Sequence, residues 1–229
     1  MIKGWIENLL HLVYPNLCVV CSENLMEEEN SICFSCLSQL PYTHYHLQRD
    51  NPIEKRFWGK VPVERATSLF FYEKATSTQH LLQALKYKGE KEIGVVLGKQ
   101  LGTFLNQSLD FASIDMIIPV PLHPKKLQKR GFNQSECICE GIAGALRKPI
   151  NTSTLVRAIE NPTQTKKGVY ERWENTTGIF ALSEPDMFKD KHLLLVDDVL
   201  TTGSTIEACV QAIVPVTGAK VSVATLAVA

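Results

Sequence analysis

Leu193-Leu194-Leu195-Val196-Asp197-Asp198-Val199-Leu200-Thr201-Thr202-Gly203-Ser204-Thr205 is the stretch that decides the fold. An apolar run meets two adjacent carboxylates, a short turn bearing hydroxyls and a glycine follows, and the apolar-periodic segment Ile206 to Val214 comes next. This reads as strand, turn, helix, with acids at the carboxyl end of the strand, where ligands of open α/β sheets bind. The turn would aim backbone N–H groups and hydroxyls at an anion, helped by the positive end of the helix dipole. A bare Asp-Asp reads equally well as solvated turn residues. The apolar strand before it and the Thr201 to Thr205 turn after it weigh against that. Paired acids beside a phosphate cradle suit a ligand with both a phosphate and a diol, and a ribose phosphate has both.

Working outward, strand and helix alternate from Val63 to the end of the chain. Strands are expected at Ala66 to Tyr72, Met116 to Val120, Leu155 to Ile159, Gly178 to Leu182, His192 to Val196 and Val221 to Ala227. Helices are expected near Thr78 to Lys86, Ile93 to Leu105, Gln134 to Leu146 and Thr205 to Val214. This alternation implies a mostly parallel sheet with helices on both faces. His192 to Val196 is the most apolar strand and is expected at the centre.

The first part of the chain differs in character. Four of the seven cysteines lie there, as Cys18-x-x-Cys21 and Cys33-x-x-Cys36. Two such knuckles can supply four thiolates to a tetrahedral Zn²⁺, and four cysteines leave no open position, so the site would be structural. Free thiols or a redox pair are the alternative. Disulfides are not expected without an export signal. Cys137, Cys139 and Cys209 fall in expected helices and read as small core residues. Ahead of the knuckles, Ile2, Trp5, Ile6, Leu9, Leu10 and Val13 with Lys3 and Glu7 predict a short amphipathic helix ending near Pro15. Its apolar face packs on the neighbouring module, or attaches to a membrane or partner surface. The expected organisation is therefore residues 1–45 as N-terminal helix and cysteine module, 46–62 as a linker punctuated by Pro52, Gly59 and Pro62, and 63–229 as the α/β domain.

Over 229 residues the formal net charge is +0, which excludes a global electrostatic pull toward nucleic acid. No apolar run is long enough for a transmembrane segment, and a cytoplasmic location is expected by default. Local charge carries more. Ile117-Ile118-Pro119-Val120-Pro121-Leu122-His123 is a strand entering a turn, and Lys125-Lys126-Leu127-Gln128-Lys129-Arg130-Gly131-Phe132-Asn133-Gln134-Ser135 follows it. That basic run is a solvated face or an anion site at the start of a helix; both readings stand. Gln164 to Asn175 is a long polar stretch of the kind that forms lids and binding loops, with Lys166, Lys167 and Arg172 as its cations.

The strand–Asp-Asp–Thr-Thr-Gly-Ser-Thr–helix string resembles the type I phosphoribosyltransferases, which bind 5-phosphoribosyl-1-pyrophosphate (PRPP). The resemblance implies the type I phosphoribosyltransferase fold. It places Asp197 and Asp198, the candidate catalytic residues, at the ribose hydroxyls. Thr201, Thr202, Gly203, Ser204 and Thr205 would wrap the 5′-phosphate, and Mg²⁺ would bridge ribose hydroxyls and pyrophosphate. Pro121, Leu122 and His123 match the pyrophosphate loop. The Gln164 to Asn175 stretch matches the family's flexible hood, and Lys125, Lys129, Arg130 and the hood residue Arg172 would offset leaving-group charge. Together with Arg-Gly-Phe-Asn-Gln-Ser at 130–135, the hood and the Cys18, Cys21, Cys33, Cys36 module, the chain is more narrowly similar to the ComF family, predicted amidophosphoribosyltransferase-like proteins linked to competence and DNA uptake. Some members carry a further cysteine pair. Residues 46–62 contain none, so one zinc is expected.

The resemblance implies a PRPP-binding, phosphoribosyltransferase-like competence protein. Active pentosyl transfer in nucleotide metabolism is a second reading, although no acceptor pocket is legible and no glutamine-hydrolysing domain precedes the cysteine module. A third is a single-stranded DNA-handling factor, in which Lys86, Lys88, Lys91 and the Lys125 to Arg130 run follow phosphates while Phe57, Trp58 and Tyr87 stack bases. Ordinary surface and packing roles are the alternative for those residues. A helicase of the competence system is the partner that the family implies.

Overall fold

The computed structural model describes residues 16–87, 89–157 and 178–229. The amphipathic helix expected before Pro15, Lys88, the last residues of the strand expected to reach Ile159, and the hood from Gln164 to Asn175 with Lys166, Lys167 and Arg172 lie outside them.

The elements in chain order are helix α1 (Phe34–Ser38), helix α2 (Pro52–Lys55), strand β1 (Ala66–Phe71), helix α3 (Ser77–Tyr87), helix α4 (Lys91–Leu105), strand β2 (Met116–Pro119), helix α5 (Pro124–Arg130), helix α6 (Gln134–Leu146), strands β3 (Leu155–Arg157), β4 (Phe180–Leu182) and β5 (His192–Leu200), helix α7 (Ser204–Thr217) and strand β6 (Lys220–Val228). A four-stranded sheet runs in the order β1-β6-β5-β2, every pairing parallel. The apolar run at 192–196 is therefore internal, with β6 on one side and β2 on the other, as expected of a strand buried on both faces.

Alternation along β5 assigns its side chains to two cores. Leu194 and Val196 join one made largely with α3, α4 and α6. Leu193 and Leu195 join the other, made with α7, Phe188, Ile53 and Phe57. Two helices of the first core touch through their backbones. A Cβ added to Gly98 of α4 would stand 2.2 Å from the Ile138 carbonyl of α6, and one on Gly141 would stand 2.2 Å from the Val95 carbonyl.

Three features differ from the expectations. Strand β5 does not stop at Val196 but runs through both acids to Leu200, because β6 continues beside it and pairs Asp197 with Thr225 and Leu200 with Val228. Strands β3 and β4 form an antiparallel pair of their own outside the main sheet. Residues 46–62 hold a 3-10 turn, helix α2 and two fully buried side chains, Ile53 and Phe57, four residues apart on one face. That spacing is the signature of an apolar helix face.

At the opposite end of the sheet from the acids, a buried polar cluster gathers where the strands begin. Arg65 Nε donates to Glu54 Oε1 at 2.6 Å, and its Nη1 pairs with Asp110. His192 bridges the Ser113 and Ser222 hydroxyls, each at 2.8 Å. Burial lowers the His192 pKa, which favours the neutral ring in this network. No helix among the described residues is long and apolar enough to cross a membrane.

Candidate functional site

The carboxyl ends of β2 and β5 open onto a pocket of about 160 Å³. Asp197 and Asp198 line it with Val120, Pro121 and Leu122 and with Thr205 of α7. Lys86, Lys126, Arg130 and Arg157 bring four cations to it, and Asn133, Gln134 and Ser135 present the N-terminus of α6.

Each group is fixed by local structure. Asn133 N-caps α6, its side chain accepting from Ser135 N at 3.1 Å and donating to Val120 O at 3.1 Å. The α6 terminus is thereby tied to the end of β2. Ser135 Oγ donates to Asp197 Oδ1 at 3.2 Å. Lys86 Nζ lies 2.8 Å from Asp198 Oδ2. Arg130 donates to Gln134 Oε1 at 2.6 Å, and its guanidinium sits 5.4 Å from the Tyr87 ring centroid. Gln134 is almost fully buried, yet its Nε2 has no hydrogen-bond partner among the described residues. A buried donor without a partner costs free energy.

The acids are electrostatically unequal. Burial, followed by the neighbouring Asp198 charge, raises the Asp197 pKa to about 7, while the Asp198 amide, Ser135 and Lys86 oppose the rise. A strongly perturbed carboxyl in a cleft with defined charge partners is a mark of a functional site.

The turn Thr201–Gly203 leads into α7. Its N-cap is Gly203 at φ 89°, a left-handed backbone that offers no side-chain oxygen to the first turn. Thr202 Oγ1 and Ser204 Oγ lie 3.1 Å apart. Amides and hydroxyls at the positive end of a fourteen-residue helix can hold a dianion.

The structure brings Asp197, Asp198, Thr205, Pro121, Leu122 and Arg130 together around one pocket. Thr201, Thr202, Gly203 and Ser204 adjoin it through Thr205 but do not line it. His123 caps α5, accepting from Lys125 N at 3.2 Å, and Lys125 and Lys129 are exposed on that helix; Lys126 lines the pocket instead. Arg172 lies outside the described residues. Phe57, expected to stack on bases, is 1% exposed and belongs to the core, whereas Trp58 and Tyr87 are exposed. Sequence reasoning missed Lys86, Asn133, Gln134 and Arg157 as pocket residues. The signal available for Asn133 was its place just ahead of an apolar-periodic segment, the N-cap position.

In the cysteine module, Cys18, Cys21, Cys33 and Cys36 hold their sulfurs within 4.8 Å of one another, close enough for one metal ion. Cys21 Sγ and Cys33 Sγ are 3.8 Å apart, and four 2.3 Å Zn–S bonds in a tetrahedron demand about 3.8 Å between sulfurs. Amide N–H groups of Cys33 and Cys36 point at Cys18 Sγ and Cys33 Sγ, each at 3.4 Å. Burial pushes the Cys18 thiol up, but amides of Cys21, Cys33 and Val20 outweigh it and bring its pKa to about 7. The donor set fits a metal that takes thiolates.

The parallel sheet, the acid-bearing β5 and the hydroxyl turn into α7 define a phosphoribosyltransferase-type domain. A phosphoribosyl transferase domain model matches residues 146–228, which contain β5, the hydroxyl turn, α7 and β6. The DNA utilization protein YhgH of Shigella flexneri is 29% identical over 205 residues, 88% of this chain and 86% of the relative. Competence protein F of Haemophilus influenzae is 27% identical, covering 82% of this chain and 86% of its own, and competence protein ComFC of Bacillus subtilis is 21% identical, covering 85% and 87%. An adenine phosphoribosyltransferase structure is loosely similar, with a TM-score of 0.40 at 18% identity, covering 65% of this chain and 75% of that one. Over most of its length the chain is thus similar to competence and DNA utilization proteins, the kind of relative that its motifs resemble.

Proposed function

We propose that this chain binds PRPP, with Mg²⁺, in the pocket between β2, β5 and α7, and serves DNA uptake or utilization as a phosphoribosyltransferase-like protein. The observation that carries the reading is a single pocket lined by two carboxylates, four cations, Gln134 with its unpaired buried amide donor, and Thr205, with the hydroxyl turn into α7 adjoining it. Asp197 and Asp198 would accept from the ribose hydroxyls. Thr201 to Thr205 would surround the 5′-phosphate. Lys86, Lys126, Arg130, Arg157 and Gln134 Nε2 would face the pyrophosphate. Mg²⁺, a hard cation, would be held largely through ligand oxygens, and when bound it neutralises pyrophosphate charge. The four cysteines would hold one structural Zn²⁺. The names of the relatives, competence and DNA utilization proteins, support the process assignment.

Calorimetry of the full chain with PRPP and Mg²⁺ tests the binding. Saturable heat that Asp198→Ala abolishes supports the pocket; unchanged affinity in that variant removes it. Pyrophosphate release on adding a panel of bases and amines would show turnover as well as binding. Titration of a labelled oligonucleotide across a salt series tests DNA contact, since a phosphate-tracking surface weakens steeply with salt.

A further inference from the structure

We infer that Arg56, with Phe57 and Lys60, braces the Thr201–Gly203 turn in the conformation that receives an anion, and is a positioning residue for the site. The identity of that anion as the 5′-phosphate of PRPP rests on the reading above; the brace itself does not.

Three side chains of the segment reach the turn and the helix it leads into. Arg56 donates through Nη1 to Thr201 O and through Nη2 to Ala229 O at 2.9 Å, so one guanidinium ties the ends of β5 and β6 together. Because a trans peptide is planar, fixing the Thr201 carbonyl on Arg56 turns the Thr202 N–H the opposite way. Phe57 lies against Gly203, with a ring carbon 3.2 Å from the place a Cβ would take, so the left-handed residue of the turn rests on a buried aromatic wall. Lys60 Nζ lies 2.7 Å from Glu207 Oε1 in the first turn of α7.

A brace needs a fixed base, and the other end of the segment supplies one. Asn51 caps α2 by accepting from Ile53 N and Glu54 N, and its Nδ2 donates to Ala66 O at 2.9 Å. Glu54 forms the buried pair with Arg65 and also accepts from Ala66 N. The segment is thus anchored to the start of β1 and reaches the far end of the sheet. A binding turn held in its bound shape before the ligand arrives gives up less entropy on binding.

The full chain tests this with Arg56→Ala and Arg56→Lys. Without ligand, amide exchange at Thr202 and Gly203 should quicken about tenfold in Arg56→Ala, the scale of a lost hydrogen bond to a charged group, with an intermediate rate in Arg56→Lys and an unchanged Tm. Exchange at wild-type rates overturns the brace. So does a fall in Tm with faster exchange throughout the sheet, which would mark Arg56 as general support. With PRPP and Mg²⁺, Arg56→Ala should bind about tenfold more weakly than the wild type, and equal affinity overturns the positioning role. If the wild type takes no PRPP while the exchange at 202–203 still depends on Arg56, the brace stands and the ligand reading falls.

Discussion

Lys86 Nζ, at the end of α3, sits 2.8 Å from Asp198 Oδ2 in β5 and also lowers the pKa of the neighbouring Asp197. The cation therefore acts on both acids. Lys86→Met should raise the Asp197 pKa further above its present value near 7, read from its carboxyl carbon in a pH-resolved NMR titration. PRPP affinity at pH 7 should fall with it, as fewer molecules present an ionised acceptor. An Asp197 titration that does not move would separate the two residues.

Asp197 should also leave a mark on stability. Its ordinary value is 3.8 and its folded value about 7, so between them the folded chain keeps a proton that the unfolded chain has lost. Asp197 thus makes stability fall as pH rises through that window, with no further change above it. Asp197→Asn removes the titration. The variant should gain on the wild type from pH 4 to 7 and hold the difference above, measured by urea midpoints at matched pH. Parallel curves would refute the raised pKa.

The contact between α4 and α6 leaves no room for a methyl group. Gly98→Ala must push against the Ile138 carbonyl and should cost about 3 kcal/mol, the upper range for overpacking. Gly144→Ala, on the open face of α6, meets nothing within 4 Å and should stabilise by about 1 kcal/mol through helix propensity. Thermal melts of the two variants should move in opposite directions.

Removing one cysteine should undo the module and reach into the domain. Cys18, Ile32, Cys33 and Leu40 are buried in the core that also holds Leu69, Phe70 and Leu101. Cys33→Ser should release the bound metal, measured by elemental analysis, and lower Tm by about 10 °C, the equivalent of a few kcal/mol in a chain of this size. Retained metal would show that the four sulfurs are not the ligand set.

Much of this architecture was legible from periodicity. The apolar phase of α4 and α6 and the unbroken run of β5 gave elements close to those observed. Helix α5 was not visible, since an exposed seven-residue helix has no buried face to impose a period, and its evidence lies in caps: His123, Pro124 at its start and Gly131 at φ 78°. The continuation of β5 through Asp197 and Asp198 depends on β6 lying beside it, a tertiary cause that overrides the weak strand propensity of Asp. The acids of the site could be read locally. Its cations could not, because Lys86 and Arg157 reach the pocket from distant parts of the chain.

The cluster of Arg65, Glu54, Asp110 and His192 gives the opposite end of the sheet a separate consequence. No group in it lines the candidate pocket, yet removing Glu54 leaves the buried Arg65 guanidinium short of its partner. In a library of variants, changes at this end should lower how much protein survives in the cell, and changes at the Asp197 end how well the surviving protein works. Measured side by side, abundance and activity would divide the molecule along the length of its own strands.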